Sequence, residues 1–206
     1  MLEQGRKVGR VAAIASVMSS ALLIFALAPT AKAQSRQDRQ LLGRAESLSG
    51  DTFRVRTSTP NGVRVYAQKQ PRIELLRAID TGFADLFTIA RKRGYRARLD
   101  FSSYTVFIAR ADRRRDSTGG YSPDVAVPAG QYAGGGYDQG GFVYAAGMVL
   151  AFNPSAFLIA EHERNIERVS SIVRFEGEHI ILYHNDRSLY ERTKDHSRGG
   201  GHPILQ

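Results

Sequence analysis

Two short stretches alternate apolar and polar positions: Phe53 to Thr57 and Val63 to Ala67, on either side of Ser58-Thr59-Pro60-Asn61-Gly62. A period of two around a Pro-Asn-Gly centre predicts a β-hairpin. The period then changes. Ile73, Leu76, Ile79, Phe83, Phe87 and Ala90 recur at three- and four-residue spacing after Pro71, with Lys92 and Arg93 in the last turn and Gly94 as the stop. This predicts a helix over about 72–93 that backs a sheet. Tyr104 to Ala109 is β-branched and aromatic and reads as a strand buried on both faces. Phe142 to Phe152 reads as a long apolar strand, Asn153-Pro154-Ser155 as a turn and Ala156 to Ala160 as the next strand. A last helix over about 165–185 shows its core stripe at Ile166, Val169, Val173 and Ile180 and at the turn of Tyr183 and His184.

Between these elements, residues 116–141 lose all periodicity. They carry eight of the twenty Gly, with Pro123, Pro128, Tyr121, Tyr132 and Tyr137. They read either as a surface loop or as a loop lining a cleft, in which Tyr132 and Tyr137 supply contact surface. The elements together predict an α+β fold with a mostly antiparallel sheet packed by two main helices. The predicted organisation is one domain over 51–206, a polar linker or frayed helix over 34–50, and a leader over 1–33. The leader has a basic start (Arg6, Lys7, Arg10), an apolar run from Val11 to Leu27 and an Ala31-Lys32-Ala33 site, the pattern of a cleaved secretory signal. A retained anchor is the other reading of the run. Cleavage predicts a secreted or periplasmic protein with no membrane attachment.

Composition narrows the chemistry. With no Cys, disulfides and Cys-based metal sites or nucleophiles are excluded. Of the net charge of +9, the leader's four Lys/Arg and Glu3 account for +3 and leave +6 on the remainder. A basic surface serves simply to keep the protein soluble, or else suits nucleic acid or anionic envelope polymers. Export and the lack of an aromatic-rich basic motif argue against nucleic acid as a partner.

All five His lie between His162 and His202. On the last helix, Glu176 shares the core stripe with Val173. His179 follows at i+3 and Tyr183 at i+4 from His179, so the three project along one face. Glu178 falls about 200° from Glu176, where Arg174 at i−4 can pair with it, and His184 falls about 140° from His179. A carboxylate on a buried face needs either a structural partner or a metal or catalytic role. The tail, 195–206, adds His196 and His202 around Gly199-Gly200-Gly201, a run able to fold back tightly, and ends on apolar Pro203-Ile204-Leu205. No Gly-x-Ser-x-Gly elbow and no phosphate loop is present.

Phe175-Glu176-Gly177-Glu178-His179 resembles the His-Glu-x-x-His signature of zincin-type metallopeptidases, with Phe in place of the first His. The resemblance implies Glu176 as general base and His179 as the second metal ligand, and gives position 175 no ligand. The order of elements is also similar: backing helix, strands, site helix, downstream ligand. The metal expected is zinc or another divalent first-row ion, held by Glu176, His179 and either His196 or His202. Glu161 and His162 stand in reserve should the tail lie elsewhere. The function this implies is a secreted, zincin-like metal-dependent hydrolase acting on an extracellular or envelope substrate of peptide type, with Tyr132, Tyr137 and Tyr183 as substrate contacts. The alternative is a non-catalytic secreted binding or structural protein on a degenerate metallopeptidase-like scaffold.

Overall fold

The computed structural model describes residues 22–110, 125–128, 138–139, 142–150, 153–161, 165–195 and 200–205. The chain divides into two compact units, residues 1–40 and 41–206. In the first, the described part is helical from Leu22 onward. The rest of this section concerns the second.

The predicted hairpin is β1 (Val55–Ser58) and β2 (Arg64–Ala67), paired antiparallel. The turn closes through Thr59 N–H to the Val63 carbonyl, with Gly62 at φ +100°. The buried carboxylate of Asp80 accepts the Asn61 amide at 2.9 Å and ties the turn to the next helix. That helix, α2 (Ile73–Lys92), ends where Gly94 takes φ +88°. Next comes β3 (Thr105–Ala109), all five of its residues buried.

Here the expectation of a mostly antiparallel sheet is corrected. The main sheet is mixed, with strand order β1-β2-β3-β8-β7. In it β3 runs parallel to both β2 and β8 (Asn153–Ala160), whereas β7 (Gly147–Leu150) lies antiparallel at the far edge. The cause is α2, which carries the chain back along the sheet before β3 begins, so that β2-α2-β3 is a βαβ crossover. The mixed topology does not establish the zincin-like order of elements. A separate three-stranded antiparallel sheet is formed by β4 (Val125–Pro128), β5 (Asp138–Gln139) and β6 (Phe142–Ala145), in the order β4-β6-β5. The apolar run expected as one strand from Phe142 is therefore broken at Ala146 and shared between two sheets. Asn153 to Ser155, expected as a turn, begin β8.

Two further helices close the chain, α3 (Ile166–Asn185) and α4 (Arg187–Thr193). Helices α2 and α3 cover one face of the main sheet, where Phe83, Phe87, Val106, Phe157, Val173 and Ile180 meet. The other face is covered by the end of α1 (Leu22–Ser49). The stretch expected as a linker or frayed helix buries Leu41, Ala45 and Leu48 against Phe53, Tyr66, Phe107 and Leu158. Their i, i+4, i+7 spacing is an apolar stripe, narrow but sufficient to seat a helix.

Candidate functional site

The site is built on the second half of α3. Asn165 starts this helix by accepting the Arg168 amide at 3.0 Å. It runs beside α2 in the same direction: Gly82 faces Ser170 and Val173, Leu86 faces Gly177, and Asn185, the last residue of α3, accepts the amides of Arg96 and Ala97 beyond the end of α2. On another side, Ile172 and the Glu176 side chain lie over Gly147 of edge strand β7. A Cβ on Gly147 would stand 2.5 Å from Ile172 Cγ2 and 3.2 Å from Glu176 Cγ. From Gly177 to Leu182 every residue is buried, so the helix is covered all round there.

The remaining cover is the chain's own C-terminal segment. The side chain of Asp186 caps α4 by accepting the Leu189 amide. After α4 the chain turns back, with Gly200 N–H on the Asp195 carbonyl at 2.9 Å and Gly201 N–H on that of Thr193 at 3.1 Å. A side chain at Gly200 would run into both carbonyl oxygens. The next residue, His202, lands on the ridge of Phe175, Glu178 and His179. Its ring centroid is 4.9 Å from that of Phe175 and 4.9 Å from that of His179, and its Nδ1 is 3.7 Å from Glu178 Oε2. Glu178 Oε1 accepts the Ile204 amide at 3.0 Å, and Ile204 is only 4% exposed.

The electrostatics follow from burial. Glu178 is fully buried and His179 is 3% exposed. Burial pushes the Glu178 carboxyl up to about 7, against the pull of the Ile204 and Leu205 amides and the Arg93 guanidinium. Glu176 is half-buried overall, but its Oε2 is sealed from solvent and takes no hydrogen bond among the described residues; burial raises its carboxyl to about 8. Glu178 Oε2 likewise takes no hydrogen bond. His179 thus lies on the helix between two carboxylates, 60° from Glu176 and 100° from Glu178 by ideal helix geometry, each with a buried oxygen lacking a donor.

The structure brings His179 and His202 together, and it adds Glu178, which sequence reasoning had pointing away toward Arg174. Arg174 instead lies with its guanidinium carbon 5.5 Å from the centre of the Phe175 ring. A signal for Glu178 was present in the tail: three Gly followed by Pro-Ile-Leu need somewhere to dock, and the docked amides need an acceptor. His196, His162, Tyr132 and Tyr137 lie outside the described residues. Tyr183 is packed under Arg187, 3.9 Å from guanidinium carbon to ring centre, and edge-on to Tyr190. His184 sits elsewhere, its Nε2 3.1 Å from Ser155 Oγ, and joins the end of α3 to the start of β8. Glu161 pairs with Lys69 at 3.1 Å beyond the end of β8.

Glu178 and His202 form one pair of donors of a type that metal ions take. The separation of 3.7 Å between Glu178 Oε2 and His202 Nδ1 exceeds hydrogen-bonding distance. It is near the roughly 3.2–3.6 Å that separates two ligands of one tetrahedral ion. Among the described residues no three His, Asp or Glu side chains are placed to hold a metal ion. Comparison with known proteins finds no matching family model, no matching curated protein and no matching solved structure.

Proposed function

We propose that the protein is an exported, zincin-like metal-dependent hydrolase with peptide as its substrate class. Its ion is held by His179 and His202 together with a carboxylate of Glu178. What carries this reading is the meeting of the buried His179 and the partly buried His202 on a helix with the Glu-x-x-His spacing and two buried carboxylate oxygens that accept no hydrogen bond among the described residues. Zinc, when bound, polarises the scissile carbonyl and lowers the pKa of water. The chain's own groups supply the rest. Glu176, whose carboxyl is raised to about 8, holds a proton at neutral pH, the protonation state a general acid needs. Gly147 lets that carboxyl lie against the edge strand. The tail excludes water from Glu178 and His179.

A second reading, a non-catalytic binding or structural protein, is favoured by the closure of the site. Structural metal sites are closed, whereas catalytic ones keep a position open, and Glu178 and His179 are sealed beneath the tail. Metal analysis of purified protein, paired with a peptide-hydrolysis assay, separates the readings. The hydrolase reading expects about one zinc per chain, loss of that zinc in His179→Ala and His202→Ala but not in His184→Ala, and hydrolysis that EDTA abolishes. Bound zinc without hydrolysis selects the second reading. Equal zinc in wild type and His179→Ala removes the metal site altogether.

A further inference from the structure

We propose that Ser155 and His184 form a nucleophile and its general base, a second site that takes carboxylic esters. The site uses none of the groups of the metal reading above and needs no ion, so it stands or falls independently of that reading.

Ser155 is the third residue of β8 and His184 the last but one of α3. Ser155 Oγ and His184 Nε2 stand 3.1 Å apart, within the reach that a base needs of its nucleophile. Both residues are half-buried, so the pair is shielded without being sealed. Each partner is also held from behind. The side-chain oxygen of Asn153 accepts the Ser155 amide at 3.1 Å. The His184 ring lies edge-on to Tyr183, with centroids 5.1 Å apart, and the Arg187 guanidinium covers Tyr183 in turn.

Positive charge is built beside the pair. Arg98, at φ +57°, is the only non-glycine residue with a positive φ among the described residues. Such a conformation is uncommon and gathers at functional sites. The Arg98 carbonyl accepts the Tyr104 hydroxyl. Asn185, the neighbour of His184, pins the same loop: its Oδ1 accepts the amides of Arg96 and Ala97 at 3.0 and 2.8 Å, and its Nδ2 donates to the Ala97 carbonyl at 3.0 Å. One helix end therefore positions both the base and the loop that carries the cation. Burial, and with it the Arg98 and Arg187 guanidinium groups, lowers the His184 pKa against the pull of the Pro154 carbonyl. The ring is neutral at pH 7 and free to take a proton, and the same cations favour an oxyanion formed next to it.

His184 Nε2 takes the Ser155 hydroxyl proton as Oγ bonds to the ester carbonyl carbon. The bond from that carbon to the alcohol oxygen breaks, and the alcohol leaves with the proton from His184. Water then adds to the acyl carbon on Ser155 and gives its proton to His184. The acid departs, and Oγ recovers the proton.

The test uses full-length protein in EDTA, a fluorophosphonate that phosphonylates activated serines, and p-nitrophenyl acetate as the ester. Peptide mass spectrometry should place the phosphonyl group on Ser155. Ser155→Ala should lose both the label and the ester hydrolysis. His184→Gln keeps a hydrogen-bonding group opposite Ser155 but removes the base, and should slow labelling about 100-fold or more. Circular dichroism checks that both variants fold. An unlabelled Ser155 in the wild type, or labelling of His184→Gln at the wild-type rate, would overturn the proposal and leave the contact as a structural tie between α3 and β8.

Discussion

Replacing Gly82 by Ala tests how α3 is held in place. Ala is the better helix former by about 0.8–1.0 kcal/mol, so by propensity alone the change stabilises α2. The structure predicts the opposite. A Cβ at this position would stand 2.5 Å from the Ser170 carbonyl oxygen, 2.7 Å from Val173 Cβ and 2.9 Å from Val173 Cγ1. Carbon contacts are comfortable at about 3.5–4.0 Å, so α2 and α3 must part by about 1 Å. The obstacle is backbone and a β-branched stem, neither of which can swing aside. Overpacking of this kind costs about 1–3 kcal/mol. Set against the propensity gain, the net loss is about 1–2 kcal/mol, a fall in Tm of roughly 2–8 °C at this chain length. Gly43 in α1 is the matched control, because a Cβ there meets nothing within 4 Å. Gly43→Ala should raise stability by up to about 1 kcal/mol. Thermal unfolding followed by circular dichroism at 222 nm reads both variants. If Gly82→Ala melts at or above the wild-type temperature, the close α2–α3 approach is not what positions the site helix.

Three further outcomes are expected. Phe83 is fully buried, stacked on Tyr104 with ring centroids 4.8 Å apart, and Phe83→Ala should cost about 3–5 kcal/mol in urea unfolding; a loss under about 1 kcal/mol would contradict that packing. His184 has its pKa lowered by burial and by the Arg98 guanidinium, so its contribution is present above the ordinary 6.5 and is lost as pH falls below that value. His184→Gln should therefore flatten the stability profile between about pH 6.5 and 5, whereas an unchanged slope would show that another group titrates there. The Glu176 carboxyl is raised from 4.5 to about 8, so the native state holds a proton that the unfolded chain releases, and stability falls as pH rises through that window. In EDTA, Glu176→Gln should gain on wild type at pH 8 and match it near pH 4.5; equal stabilities at both pH values would show the carboxyl to be solvated.

Much of this was legible in the chain, and the misses have physical causes. The ranges of α2 and α3 follow the apolar period closely, because both helices present one stripe to a sheet. The direction of β3 could also have been read. A strand with both faces buried, reached through a helix, is the mark of a parallel crossover. Leu41, Ala45 and Leu48 form a stripe too sparse to stand out among the polar residues around them. The side assigned to Glu178 illustrates a different limit. Helical geometry placed it correctly opposite Glu176, but what lies on that side is a segment more than twenty residues downstream, and local period carries no information about long-range cover.

The neighbours of Ala160 and Glu161 in the sheet have a consequence for how this chain can be rebuilt. The Glu161 amide bonds to the carbonyl of Ala109, the last residue of β3, and the Ala160 amide to that of Ala146, just ahead of β7. The chain thus leaves the main sheet after residue 109 and re-enters at 147 on the same end, two strand spacings away, about 10 Å. Everything in between, including the small sheet, is a cassette whose two ends nearly meet. A bridge of a few residues could span that gap with no strand order of the main sheet rearranged, and what it would remove is the buried Val125 packed with Phe107 and Leu158.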